Sequence, residues 1–473
     1  MKKRLFIAGE WLEAKNHVPL YSPYSGEVIA EIPFANGEEV EQAIQAAEDA
    51  REVMANLPAW RRAEILETLS SLLEKRKEEA AEIISLEAAK PIKTALGEVN
   101  RTIQTYKFAA EEAKRIHGET LSLGAARGGE GKVAYTMREP LGVIGAITPF
   151  NFPMNLVAHK VGPAIASGNT VVLKPAFQTP LSAYFIAELL ETAGLPAGAL
   201  NVVTGAGAAV GEKIVVDPRV KMVTFTGSPA VGIGIRKKAG LKRVTLELGS
   251  NSAVIIDEGV DLEKIVSRCV SGAFSYQGQV CISLQRIYVH ESNYSEFVDK
   301  FVDKTRKLKV GSPLDPETDI SALISRKDVE RTLSWIKEAL DHGASVITGG
   351  ETEGDILYPT VILDTTSEMR VSCEEVFAPI VLINKVSSVQ QAIREVNNSR
   401  FGLQAGIYTE RLKNAFLAAE KLHVGGVMVN DIPTFRVDQM PYGGVKESGI
   451  GREGVKYAVE EMTELKLVVF NNS

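Results

Sequence analysis

Short β-branched runs, separated by stretches of helical periodicity, constrain this chain more than any other feature. Val143-Ile144-Gly145-Ala146-Ile147, Thr170-Val171-Val172-Leu173, Val202-Val203, Met222-Val223-Thr224-Phe225 and Val254-Ile255-Ile256 are apolar almost throughout, and helical stretches such as 181–193 lie between several of them. Strands buried on both faces and joined by helices predict a parallel, doubly wound sheet. After Asp257 the pattern repeats, with a helix over 261–274, a strand at 286–289, a helix over 294–308 and a strand at 381–383. A chain of 473 residues exceeds what one core usually holds, so the reading is an α/β protein of two lobes. Upstream, Val40, Ile44, Ala47 and Val53 mark one amphipathic helix, and Ile65, Leu66, Leu69, Leu72 and Leu73 mark a second. Two pieces stand apart. Residues 119–140 read as a hairpin with Gly124, Gly128, Gly129 and Gly131 around its turn, and Leu465 to Phe470 reads as a strand with no local partner.

Bulk properties remove several function classes. A net charge of -7 disfavours nonspecific nucleic-acid binding. No apolar stretch approaches the roughly 20 residues that span a bilayer. The basic start, Met1-Lys2-Lys3-Arg4, is followed by too short an apolar run for a secretory signal. Three cysteines form no disulfide framework, which points to a reducing cytoplasm, with Cys269 and Cys373 as small buried hydrophobes. The six histidines show no ligand spacing, so no metal site is expected.

The chemistry centres on Cys281, which follows the turn Tyr276-Gln277-Gly278-Gln279-Val280, and on Glu247 in Leu246-Glu247-Leu248-Gly249. A thiol after such a turn can be an exposed nucleophile, and a carboxylate in a Gly-terminated segment can be a general base. A nucleotide site is also legible. Phe225-Thr226-Gly227-Ser228-Pro229 follows a strand and opens a helix, whose free N–H groups and dipole suit a pyrophosphate, with Gly227 permitting close approach. Tight strand-to-helix turns need glycine anyway, so this signal alone leaves both readings open. For Val203 to Gly211 a structural loop and helix start is the favoured reading. Lys174 ends a buried strand, where open α/β sheets bind ligands, although a lysine there is often only solvated.

Taken together the residues resemble the NAD(P)-dependent aldehyde dehydrogenase superfamily. The markers are Pro149-Phe150-Asn151-Phe152-Pro153, Leu173-Lys174-Pro175, Phe225-Thr226-Gly227-Ser228, Glu247-Leu248-Gly249, Gly278-Gln279-Val280-Cys281, Glu375-Val376-Phe377-Ala378-Pro379 and Pro441-Tyr442-Gly443-Gly444-Val445-Lys446-Glu447-Ser448-Gly449, in the family's order. Glu98-Val99-Asn100-Arg101-Thr102 and Phe274-Ser275-Tyr276 look most like the branch of non-phosphorylating glyceraldehyde-3-phosphate and lactaldehyde dehydrogenases. The resemblance implies two Rossmann-like lobes, with residues 1–118 and 141–250 binding NAD or NADP, 251–440 catalytic, and 119–140 with 455–473 a small β element for oligomerisation. Cys281 would attack a small aldehyde, and Asn151 with the Cys281 N–H would hold the oxyanion. Glu247 would activate water to hydrolyse the thioester. Lys174 would hold the adenosine ribose, Ser228 the pyrophosphate, and Glu375 with Phe377 the nicotinamide ribose. Ile147, Pro149, Phe150, Phe177, Gly227 and Leu248 complete the implied cofactor set. No nucleic acid or membrane is implied as partner, and a homodimer or homotetramer is, with the hairpin and tail in an intersubunit sheet.

The departures from the family pattern are informative. NAD-preferring members commonly carry Glu three residues after the lysine, and here Phe177 stands there, with no new cation gained. Val280 occupies the position where the phosphate-handling branch tends to place Arg, which counts against glyceraldehyde 3-phosphate. Three readings follow: a hydrolytic aldehyde dehydrogenase, a coenzyme-A-acylating member, and a non-enzymatic descendant. Glu247 counts against the second, and the joint presence of Cys281, Asn151 and Glu247 against the third. Arg101 and Arg436 fall where this branch meets the far end of its substrate, and two guanidiniums suit an anionic or hydroxylated aldehyde such as lactaldehyde. A helix-surface arginine and a loop salt bridge are the structural alternatives.

Overall fold

In a computed structural model, which describes residues 2–471, the first lobe is built on an eight-stranded sheet. Its centre is parallel, in the order Leu200–Val202, Thr170–Lys174, Val143–Ile147, Val220–Thr226 and Arg243–Glu247. The parallel expectation fails at the margins. Leu5–Ile7 and Glu10–Leu12 close one edge antiparallel, and Gly449–Ile450 returns to pair antiparallel with Leu246 and Glu247 at the other. Apolar clusters cover both faces. Ile65, Leu66 and Leu69 on one side and Val40, Ala43 and Ile44 on the other are fully buried, as sheets sandwiched between helices require.

The periodicity of Val40, Ile44 and Ala47 is carried by the helix Gly37–Asp49, which a capping box at Asn36 and Glu39 starts. Val53 does not belong to that stripe. It lies in a separate short helix, Arg51–Asn56, and is 55% exposed. The second lobe holds a seven-stranded sheet in the order Ser345–Thr348, Thr360–Leu363, Ile380–Val386, Arg286–His290, Ala253–Ile256, Gln404–Tyr408 and Gly426–Val429. All its pairings are parallel except the first. Val254-Ile255-Ile256 is therefore a central strand of the second sheet. The helices Leu262–Phe274 and Tyr294–Thr305 cover one face of it. Cys269 is buried as expected, whereas Cys373, at the end of the short helix Arg370–Cys373, is only half-buried.

The tail corrects the reading of an orphan strand. Thr463–Asn471 pairs antiparallel with Lys132–Pro140 of its own chain along nine residues, and Thr120–Leu121 completes a three-stranded sheet. The helix Val455–Glu461, grouped with the tail by sequence, instead buries Val455 and Val459 in the first core. Asn472 and Ser473 of the tail, like Met1, lie outside the described residues. Among the described residues no helix is long and apolar enough to cross a membrane.

Candidate active site

The C-terminal ends of the strands in the first sheet open onto a cleft of about 680 Å³ lined by Ile147, Pro149, Phe150, Lys174, Gly227 and Ser228. These are six of the residues read as cofactor contacts, brought together from three parallel strands. Lys174 is buried, its ammonium making one long contact to the Pro175 carbonyl at 3.4 Å, and burial pulls its pKa below the usual lysine value. A buried cation so weakly partnered suits polar oxygens of a ligand. Ser228 caps the helix Pro229–Lys238 without spending its side chain on a capping bond, so its hydroxyl and the helix N-terminus are available to an anion. The cleft therefore fits a dinucleotide.

Gly227 lines the cleft, and an added Cβ there would also sit 2.5 Å from the Phe225 ring. Phe177 is not among the residues lining the cleft. Its ring stands edge-on to Phe34 at 5.8 Å and packs with Leu20, Ala30 and Ile32. Leu248 is core, wedged under Gly232. Glu375 is half-buried beside Gly249 and accepts the Ser250 N–H at 3.0 Å, and desolvation pushes its carboxyl up to about 7. Phe377, held at a φ of 52°, sets its ring edge-on to Phe150, 5.7 Å away. The segment favoured as purely structural does face the cleft: Gly207, Ala208 and Gly211 line it.

A second pocket, of about 420 Å³, holds Cys281 with Arg101, Phe152, Asn155, Arg436 and Tyr442 on its walls. The Cys281 sulfur lies 2.8 Å from the Tyr442 hydroxyl. Burial pushes its thiol up to about 11, while the Tyr442 hydrogen bond and the Arg436 charge act in the opposite sense. Asn151 is buried, and its side-chain amide donates to the Gln279 carbonyl at 2.9 Å, which ties it to the turn carrying the thiol. Glu247 is buried with no hydrogen bond to either carboxylate oxygen. Desolvation, then the neighbouring Glu453, raises its pKa well above the usual carboxylate value.

Several of these partners escaped the sequence reading. Tyr442 was visible only as part of a longer marker. Glu453 is buried beside Lys160, at 2.8 Å, and although burial alone would raise its carboxyl, Lys160, His159 and Arg436 hold it below the usual range. Arg101 lies on Asp438 through Nε at 3.1 Å and Nη2 at 2.7 Å. Arg436 reaches Glu453 at 3.1 Å and sits 3.6 Å above the Tyr442 ring. Both arginines thus line the pocket and also belong to ion pairs. His159 joins the two, 2.8 Å from Asp438 and 3.3 Å from Arg436.

Comparison with known proteins agrees with this geometry. A model of the aldehyde dehydrogenase family matches residues 11–468. The chain is 47% identical over 467 residues to the 3-sulfolactaldehyde dehydrogenase of Priestia megaterium, covering 99% of this chain and 98% of that one. It is 42% identical over 471 residues to the lactaldehyde dehydrogenase of Methanocaldococcus jannaschii, covering 99% and 100%. The crystal structure of aldehyde dehydrogenase 21 from Physcomitrella patens with its product succinate superposes with a TM-score of 0.98 at 42% identity, covering 100% and 98%. That of glyceraldehyde-3-phosphate dehydrogenase GapN from M. jannaschii with NADP gives 0.93 at 41% identity, covering 97% and 100%.

Proposed function

The chain belongs to the aldehyde dehydrogenase family, and from that premise we propose that it oxidises a small hydroxylated or anionic aldehyde to the carboxylic acid, using NAD or NADP, through covalent catalysis at Cys281. The observation that carries the proposal is that Cys281, Arg101 and Arg436 line one and the same pocket.

Cys281 adds to the aldehyde carbon as the thiolate, and the Arg436 charge favours that anion against the cost of burial. Of the two N–H bonds on the Asn151 amide, one is directed at Gln279, leaving the other to meet the oxyanion with the Cys281 backbone N–H. Losing one such donor typically slows a reaction roughly 100- to 1000-fold. When bound, NAD or NADP supplies the hydride acceptor, which leaves the acyl group as a thioester on Cys281. Glu247 then takes a proton from the water that attacks the thioester. Its raised pKa makes it a stronger base than an exposed carboxylate.

Substrate class rests on Arg101 and Arg436. Arg101 spends Nε and Nη2 on Asp438, and its Nη1 makes no hydrogen bond among the described residues. That nitrogen is suited to an anionic or hydroxyl group at the far end of an aldehyde. The names of the relatives support lactaldehyde, sulfolactaldehyde and glyceraldehyde 3-phosphate as substrates to try. The test is reduced-cofactor formation with these aldehydes and propanal, with and without coenzyme A. The expected result is a kcat/KM at least about tenfold higher for the polar aldehydes, or about 1.4 kcal/mol, with no need for coenzyme A. Equal use of propanal would remove the substrate assignment, and strict dependence on coenzyme A would make the enzyme an acylating one.

We further propose a homodimer or dimer of dimers in the cytoplasm. Val133, Tyr135, Met137, Leu467 and Phe470 stand between 38% and 54% exposed on the three-stranded sheet, which supports a partner surface there.

A further inference from the structure

The mechanism above makes no use of the buried ion pair Lys90–Glu98, although both side chains are wholly buried and the pair lies beneath the Cys281 pocket. A buried charge pair is costly to desolvate and needs its geometry satisfied on every side. Here the satisfied groups are informative. Lys90 donates to Glu98 and, at 2.7 Å, to the Asn151 carbonyl. Its ammonium lies 3.8 Å from the centre of the Phe152 ring and 4.3 Å from that of Tyr276. The other Glu98 oxygen accepts the N–H groups of Met154 at 2.9 Å and Asn155 at 3.1 Å. The pair therefore grips the turn 151–155 at both ends.

The backbone around Lys90 also receives the turn that carries the nucleophile. The Tyr276 hydroxyl donates to the Ala88 carbonyl at 3.1 Å, and the Gln277 amide to the Ala89 carbonyl at 2.9 Å. Ala89, Tyr276 and Gln277 all hold left-handed backbone, with φ of 48°, 48° and 54°. Non-glycine residues stay in that region only where their surroundings fix them. One brace thus holds both turns, the one bearing the Asn151 amide and the one bearing Cys281.

We propose that Lys90, anchored by Glu98, is a positioning residue that fixes the Asn151 amide against the Cys281 backbone N–H. The proposal rests on the reading of Cys281 and Asn151 given above. Lys90→Met should slow the burst of NAD(P)H formed on mixing enzyme, cofactor and aldehyde by about 10- to 100-fold, the scale of a roughly 1 Å misplacement. Alkylation of Cys281 by iodoacetamide displaces iodide and develops no oxyanion on the attacked carbon, so its rate should stay that of the parent. Asn151→Ala should show the same signature, and Lys90→Met added to Asn151→Ala should cost little more. Three results would overturn the proposal: an unchanged burst in Lys90→Met, alkylation slowed in proportion to the burst, or losses that multiply in the double variant. If Lys90→Met does not fold, Tyr276→Phe removes one hydroxyl of the same brace, and a parental burst in that variant overturns the proposal equally. A parental burst in Cys281→Ser or Asn151→Ala would instead refute the underlying site reading.

Discussion

Glu247 sits in an environment that penalises its charge, buried, without a hydrogen-bond donor and facing Glu453, while Arg436 and Lys160 partly compensate. The sign of the pH dependence follows. A carboxyl raised above its ordinary value stays protonated further up the pH scale, and only its anion can take a proton from water. Thioester hydrolysis should therefore climb with pH as Glu247 ionises, and Glu247→Gln should abolish that limb. A pH profile unchanged in the variant would assign the base elsewhere. Arg101→Leu should raise KM for anionic aldehydes by about tenfold or more while leaving propanal nearly untouched, the behaviour of a lost ground-state contact. Equal effects on both would reduce Arg101 to a partner of Asp438. At position 177 the half-buried ring packs on Phe34 and an apolar cluster, so Phe177→Glu should lower stability by about 1–3 kcal/mol, with little change in the NAD to NADP ratio of kcat/KM expected. A clear shift towards NAD would show that the side chain does reach the cofactor.

Among the elements, the two-residue strand Gly449–Ile450 has an effect out of proportion to its length, because it pairs with Leu246 and Glu247 and so pins the strand end carrying Glu247. Gly449 has a φ of 151°, and an added Cβ would collide with the Leu246 carbonyl. Gly449→Ala should cost more than about 1 kcal/mol, read by thermal melting, and lower the rate of thioester hydrolysis along with it. A variant with parental stability and turnover would show that the strand does not hold Glu247. Such a strand is invisible to periodicity, whereas the β-branched cores of both sheets were plain in the sequence because burial on two faces demands unbroken apolar runs. The antiparallel edge Leu5–Ile7 was likewise unreadable, since which strand pairs with which is a tertiary matter. Buried charge escaped for a related reason. Lys90 and Lys160 look like surface residues by type, and they reach partners 61 and 293 residues away in the chain, at Asn151 and Glu453. Cys281, Glu247 and Asn151, by contrast, could be singled out from the sequence because each sits in a short marker of unusual composition.

For the whole molecule, the three-stranded sheet carries several exposed apolar side chains, among them Val133, Tyr135, Leu465, Leu467 and Phe470. Deleting residues after Met462 would keep that buried core residue but strip Lys132–Pro140 of its nine-residue partner, exposing one more strand edge beside Val133 and Tyr135. The truncated chain should show a smaller or aggregated assembly by light scattering, with activity falling alongside. An unchanged mass distribution with full activity would detach the sheet from assembly.

The central claim is covalent catalysis at Cys281 with Glu247 as the base of hydrolysis, and trapping of the intermediate tests it most directly. Glu247→Gln, mixed with a turned-over aldehyde and oxidised cofactor, then quenched in acid and analysed by mass spectrometry, should carry one acyl group on the Cys281 peptide and none on those of Cys269 or Cys373. Full turnover by the same variant with no adduct on Cys281 would contradict the account.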